Sequence, residues 1–167
     1  MNRRHVLTSS LWGAAAVGLG ARTAAAAYVE GDFEVTRTEA EWRAMLSDLE
    51  YAVMREGDTE RAFTSPLNDE KRAGTFICKG CDQPLYDAAT KFESGTGWPS
   101  FYEPLENAVE TMPDNSFFMR RTEVHCDRCG SHLGHVFEDG PPPPGLRRCI
   151  NGVTPNMGPG RGHATRP

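Results

Sequence analysis

The chain has no run of basic residues, no apolar stretch of membrane-spanning length and only five cysteines in 167 residues. Each shortage excludes something. With 23 Asp and Glu against 18 Lys and Arg and no basic cluster, the chain lacks the electrostatic footprint of a nucleic-acid or anionic-membrane binder. The charge reads as that of a domain kept in solution. Its apolar run from Leu11 to Gly20 is short and rich in Gly and Ala for a spanning helix. Paired Arg3 and Arg4 precede this run and Ala24 to Ala27 follow it, so residues 1–27 read as a twin-arginine-type signal peptide with an A-x-A cleavage site, against the alternative of an uncleaved anchor. No cysteine stands near the end of the leader, which argues against lipid attachment there. Cleavage would remove Arg3, Arg4 and Arg22 and no acid, leaving 15 Lys and Arg against 23 Asp and Glu, a net charge of −8. The expected location is the periplasm, without stable membrane association, and nothing in the sequence demands more than a monomer.

What remains is long enough for one domain with its own core. Thr38 with Glu41 makes a capping box, and Trp42, Met45, Leu46, Leu49 and Val53 fall on one stripe, so the pattern predicts a helix over about 39–55, ended by Gly57. The stripe should cover a sheet. Arg61 to Arg72 reads as a loop or a short helical turn. From Gly74 onward the pattern is β: short runs at GTFIC, PLY, AVETM, FFMRRTEVHC, LGHVF and RRCIN are separated by Gly, Pro and Asn. The expected fold is mainly β, a small twisted antiparallel assembly with a peripheral N-terminal helix. The domain should span 28–151, and the Gly- and Pro-rich residues 152–167 should form a flexible tail.

The cysteines fall as two CxxC pairs and one single. Cys78, Cys81, Cys126 and Cys129, with Gly80 and Gly130 in the knuckles, match a tetrahedral four-thiolate Zn(II) site, one per chain. Two redox pairs, or disulfides formed after export, are the alternatives. A four-thiolate zinc has no open position, so it is structural and ties residues near 80 to residues near 127. Cys149 then stands alone in GLRRCIN. It is either a buried small hydrophobe or a nucleophile whose thiolate Arg147 and Arg148 favour. Along a strand, Arg147, Cys149 and Asn151 point to one side. His132 and His135 could be further metal ligands, structural residues, or a pair that binds an oxygen and delivers a proton near neutral pH. His125 and His163 read as structural or tail residues. In SGTGWPSF, Gly95 and Gly97 permit tight backbone, and Trp98 is either core or an exposed aromatic wall.

These motifs in this order closely resemble the methionine-R-sulfoxide reductases, over roughly Glu39 to Asn151. The resemblance implies two antiparallel sheets in a tent-like arrangement with peripheral helices, a structural zinc, and reduction of the R epimer of methionine sulfoxide in oxidised proteins or peptides. By position it makes Cys149 the nucleophile, His132 and His135 the pair that binds and protonates the sulfoxide oxygen, Asn151 and Arg147 the polar support, and Trp98 the wall against the substrate methyl group. Many members carry a resolving cysteine where this chain has Thr96, and with no sixth cysteine an external thiol, thioredoxin-like or small, must regenerate the enzyme. Two further departures are Arg148, where the family usually has an aromatic, and Gly152, where it usually has serine. The C-terminal strand of the family is expected to be replaced by the tail. The competing class is a non-catalytic zinc module that binds a ligand through Trp98, with Cys149 incidental.

Overall fold

Two capping boxes in succession shape the N-terminal part of the chain. In the computed structural model, which describes residues 31–116 and 119–158, Thr38 caps α1 (Glu39–Met45), exchanging bonds with Glu41. Leu46 then turns to extended backbone, and Ser47 with Glu50 repeats the motif to start α2 (Asp48–Glu56). The single helix expected over 39–55 is therefore two. The second box resets the helical phase, so Trp42, Leu46 and Val53 are buried while Met45 and Leu49, predicted on the same stripe, are exposed. Gly57 ends α2 in the left-handed conformation, as predicted.

Nine short strands follow among the described residues: β1 (Thr75–Cys78), β2 (Pro84–Asp87), β3 (Lys91–Phe92), β4 (Ser100–Phe101), β5 (Val109–Asp114), β6 (Arg121–Cys126), β7 (His132–Phe137), β8 (Arg147–Ile150) and β9 (Pro155–Gly158). They form two antiparallel sheets, one ordered β2-β1-β9 and the other β3-β4-β8-β7-β6-β5. Helix α2 lies against β7. The core between these layers is built from Trp42, Tyr51, Met54, Phe76, Leu85, Tyr86, Phe101, Val124, Leu133 and Ile150. Phe101 stacks on Tyr86 at 4.4 Å between centroids and meets Phe76 edge-on at 4.9 Å. Mainly β with two antiparallel sheets is the expected class, with one more helix and three more strands than the sequence patterns indicated.

The tail expectation is corrected from residue 152. Asn151 to Thr154 form a buried turn, and Pro155–Gly158 pairs with β1 as an edge strand, Cys78 opposite Pro155 and Phe76 opposite Met157. Proline is tolerated there because it opens an edge strand, where a missing donor breaks no inner ladder. Met157 supplies the apolar contact with the core. The chain thus keeps the C-terminal strand it was expected to lack. The leader at 1–27, the tail residues 159–167 with His163, and Phe117 and Phe118 of the long fourth run lie outside the described residues.

Candidate active site and zinc centre

The zinc knuckles come from opposite sheets. The first is the turn after β1, and the second joins β6 to β7. They bring Cys78, Cys81, Cys126 and Cys129 together with all four sulfur atoms within 4.8 Å of one another. Cys78 and Cys129 are 3.7 Å apart and Cys81 and Cys126 3.5 Å, while no disulfide links them. Four Zn–S bonds of ordinary length in a tetrahedron place the sulfurs about 3.8 Å apart. The donor set fits zinc. Zinc here is structural, clamping two distant segments of chain, and its filled shell leaves no position for substrate.

Four thiolates on Zn(II) carry a net charge of about −2, and three arginines answer it through the knuckle backbone. Arg37 donates to Gly80 O (2.9 Å), Arg55 to Cys129 O (3.1 Å) and Arg128 to Cys81 O (3.1 Å). Arg55 is buried, also donates to Ser131 Oγ, and lies over the Trp42 ring, as does Arg37. Arg55→Met keeps most of the packing and removes the buried cation. Its zinc should pass to a chromogenic chelator about tenfold faster than wild type, the scale on which outer-shell partners act; an unchanged release rate would deny Arg55 this role.

The second cluster lies where β8 pairs with β7. Cys149 stands directly across from His135, and Glu123 across from His135 on the other side. Gly134 makes the close approach possible, because a Cβ there would sit 1.9 Å from Cys149 O. A cavity of about 140 Å³ opens at this point, lined by Thr59, Trp98, Arg121, Gly134, His135, Phe137, Cys149 and Asn151. Cys149 is half-buried, and Thr96 Oγ1 is 4.0 Å from its sulfur.

Each predicted site residue has an identifiable support. Arg147, on the same face as Cys149, reaches the sulfur and is gripped by Asp139 through Nε (2.8 Å) and Nη2 (2.9 Å), a bidentate pair. Phe137 packs under the same guanidinium at 4.4 Å. His135 Nε2 is 2.7 Å from Asp114 Oδ2, and Arg121 Nη2 is 2.6 Å from the same oxygen. His132 is fully buried beside it, ring centroids 5.3 Å apart, with Nδ1 2.7 Å from Glu123 Oε1. Asn151 Oδ1 accepts from Glu60 N and its Nδ2 donates to Leu133 O. Trp98 Nε1 donates to Glu60 O at 3.1 Å, so the backbone of one residue ties both the aromatic wall and Asn151. Glu60 is itself buried and bound to Gly152 N. A side chain at 152 would collide with Ser65 Oγ, and this loop packing is what glycine there permits.

The electrostatics correct one expectation. Burial pushes the Cys149 thiol up, and the Arg147 charge with the Thr96 and Arg147 hydrogen bonds pulls it only part of the way back. Arg148 takes no part. It projects from the opposite face and donates to Tyr102 O at 2.6 Å. Burial also lowers His135, against the pull of its Asp114 bond. Burial opposes ionisation of Asp114, but hydrogen bonds from Ser116 and His135 and the Arg121 charge outweigh it and hold the carboxyl well below its usual range. At neutral pH the resting pair is therefore a neutral thiol facing a neutral imidazole.

Asp139, Asp114, Glu123 and Glu60 were not singled out from the sequence. The available signal was weak: Asp114, Glu123 and Asp139 are acids inside or beside strand-forming runs, where an unpaired charge has no place, and Glu60 lies in a polar loop that offered none. His125, read as structural, is buried against Phe33 and near Glu110.

Comparison with known proteins agrees with this geometry. A family model described as the SelR domain matches residues 46–158. A peptide methionine sulfoxide reductase MsrB from Pseudomonas putida (strain W619) is 57% identical over 122 residues, covering 72% of this chain and 91% of the relative. The protein of the same description from Pseudomonas entomophila is 52% identical over 127 residues (75% and 97%), and that from Methanosarcina mazei is 50% identical over 122 residues (72% and 87%). The match runs from Leu46 through the zinc knuckles and the Cys149 strand to Gly158, and the chain belongs to the SelR-domain family of MsrB-type peptide methionine sulfoxide reductases.

Proposed function

We propose that this protein reduces methionine-R-sulfoxide in oxidised proteins or peptides by direct attack of the Cys149 sulfur on the sulfoxide sulfur. The observation that carries this is one cavity that holds both an aromatic wall, Trp98, and a sulfur paired across the strands with a carboxylate-bound imidazole, Cys149 with His135. The sulfoxide S-methyl group packs on Trp98 and its oxygen faces the histidines, while the rest of the residue leads out to solvent. With three directions from one sulfur fixed and the nucleophile fixed on the fourth side, only one epimer fits.

The bookkeeping of the step is closed within the site. The Cys149 sulfur attacks the sulfoxide sulfur as the protonated oxygen leaves it, and that oxygen then bonds to the Cys149 sulfur as the S–S bond breaks, giving a sulfenic acid on Cys149. Methionine leaves, reduced by two electrons that Cys149 supplies. A neutral thiol already holds the proton that the departing oxygen needs. His135 takes it as the thiol ionises and returns it to oxygen, while Asp114 keeps the ring oriented and supports the transient imidazolium. Arg147, held by Asp139, favours the thiolate at the moment of attack. Asn151 and His132 fix the walls around it.

Regeneration falls to an external thiol, since the residue beside Cys149 is Thr96 and the other four cysteines hold zinc. Export in the folded state, zinc already bound, would keep those four thiolates out of disulfides in the periplasm. Finding them as disulfides in metal-free protein from the native host would refute that route.

The direct test mixes reduced, zinc-loaded protein with R and S methionine sulfoxide peptides and no reductant. About one methionine per chain should appear from the R form alone, as expected for a nucleophile consumed once; equal release from both epimers, or none, overturns the reading. Arg147→Met supplies a second test. Removing the cation raises the thiol further and makes its ionisation at the moment of attack costlier, so kcat/KM at pH 7 should fall about tenfold while the acid limb, set by proton loss from His135, stays in place. An unchanged rate at pH 7 would remove Arg147 from the chemistry.

A further inference from the structure

Phe63 is the most exposed large apolar side chain among the described residues, 73% accessible, and it sits in left-handed backbone at φ 65°. Aromatic L-residues avoid that region, and a ring held in water adds a second unfavourable term. Neither local backbone preference nor core packing accounts for the residue. The surrounding chain nevertheless holds it firmly. Phe63 N donates to Gly97 O at 2.8 Å, and Asn68 Nδ2 donates to the same oxygen at 3.0 Å. Gly97 is at φ 92°, and a Cβ on it would lie 2.8 Å from both the Phe63 ring and its backbone nitrogen. The ring is thus bolted against the residue that precedes Trp98.

A second cavity of about 130 Å³ lies here, lined by Phe63, Lys91, Phe92, Gly97, Trp98 and Pro99 among others. Trp98 belongs to this cavity and to the one that holds Cys149. One indole therefore separates two adjoining hollows, the first with the nucleophile and the second with an exposed aromatic. The loop between them carries Thr59 in the first wall and Phe63 in the second. In an extended polypeptide, side chains two residues apart point to the same side about 7 Å apart. That is the spacing needed to straddle an aromatic ring.

We propose that the Phe63 hollow is a subsite for an apolar side chain of the substrate polypeptide, two residues from the oxidised methionine. It rests on the reading of Cys149 as the sulfoxide-attacking nucleophile and adds to it a sequence preference: an apolar side chain at that spacing from the oxidised methionine in an extended stretch of substrate. An oxidised methionine exposed by unfolding of a core strand has such neighbours at alternate positions.

The test is single-turnover methionine release, without reductant, from three probes: N-acetyl methionine-R-sulfoxide amide, and two pentapeptides with the sulfoxide central and Leu or Gly two positions to either side. Wild-type protein should turn over the Leu peptide about tenfold faster than the Gly peptide at low concentration, the scale of one apolar side chain in a pocket. Phe63→Gly should erase that preference and leave the N-acetyl amide within about twofold of wild type. Because glycine accepts φ 65° without strain, this variant should melt no lower than wild type, so loss of folding cannot imitate the result. Absence of a Leu preference in wild type overturns the proposal, as does its survival in Phe63→Gly. Equal slowing of all three probes would make Phe63 a prop for Trp98 instead. Slowing seen only in multiple turnover with a dithiol protein would make it a reductant surface. Failure of wild type to release methionine from any probe would instead remove the underlying activity.

Discussion

Cys149→Ser should lower methionine release by at least about 1,000-fold, as loss of a covalent nucleophile does, while fold and zinc content stay intact. Serine keeps the shape at a half-buried position and its hydroxyl can take up the Thr96 contact, so packing gives no reason for loss of stability. What disappears is a soft sulfur able to accept oxygen and give up two electrons; a hydroxyl oxygen cannot carry out that exchange. Binding should survive, because Trp98, His135 and Asn151 keep their anchors at Glu60, Asp114 and Leu133. A non-catalytic module that used the Trp98 wall would keep its binding and would release no methionine with either residue at 149. Measuring single-turnover methionine release beside ligand-induced quenching of tryptophan fluorescence separates the two. Lost release with retained quenching is the expected outcome, and retained release would end the case for Cys149.

Removing zinc should unfold the domain. The knuckles join β1, in the three-stranded sheet, to the β6–β7 turn of the six-stranded sheet, and α1 lies over the junction through Trp42, whose ring closes on Gly80. Metal binding by four thiolates is worth about 10–16 kcal/mol in small zinc domains, as much as the whole stability of a typical domain, about 5–15 kcal/mol. Without the metal, buried thiols remain where four charges were held, and Arg37, Arg55 and Arg128 lose the negative centre they surround. The melting temperature after chelation under reducing conditions should therefore fall by more than about 20 °C, or the transition should vanish. A domain that melts unchanged without zinc would show the staple to be dispensable.

The site proved more legible in the sequence than the fold around it. Cys149, Asn151, His135 and Trp98 meet in one cavity, with Arg147 reaching the same sulfur and the His132 ring edge-on to His135, because their motifs are short and each holds its residues at fixed strand or turn spacing. The four zinc cysteines were equally plain. The supporting acids were not, since Asp114 and Glu123 reach their histidines across strands, and cross-strand register is absent from local pattern. The helix break at Ser47 did have a signal, a second S-x-x-E directly inside the first helical stripe, which the continuous apolar spacing masked. The β9 strand ran against composition: Gly and Pro suggest a tail, and only pairing with β1 and the seat of Met157 on the core make PNMG a strand. Two-residue strands such as Ser100–Phe101 have no period to detect, yet β4 sets the Cys149 strand in place through the Ser100–Cys149 pair.

The most direct measurement of the central claim is the mass of the peptides from zinc-loaded protein quenched after one turnover on a methionine-R-sulfoxide peptide, without reductant. Cys149 should be a sulfenic acid, read out as the thioether that dimedone forms with it on loss of water, with all zinc still bound and Cys78, Cys81, Cys126 and Cys129 unmodified. A disulfide from Cys149 to any of those four, with zinc released, would contradict both the single-thiol chemistry and the structural role assigned to the metal.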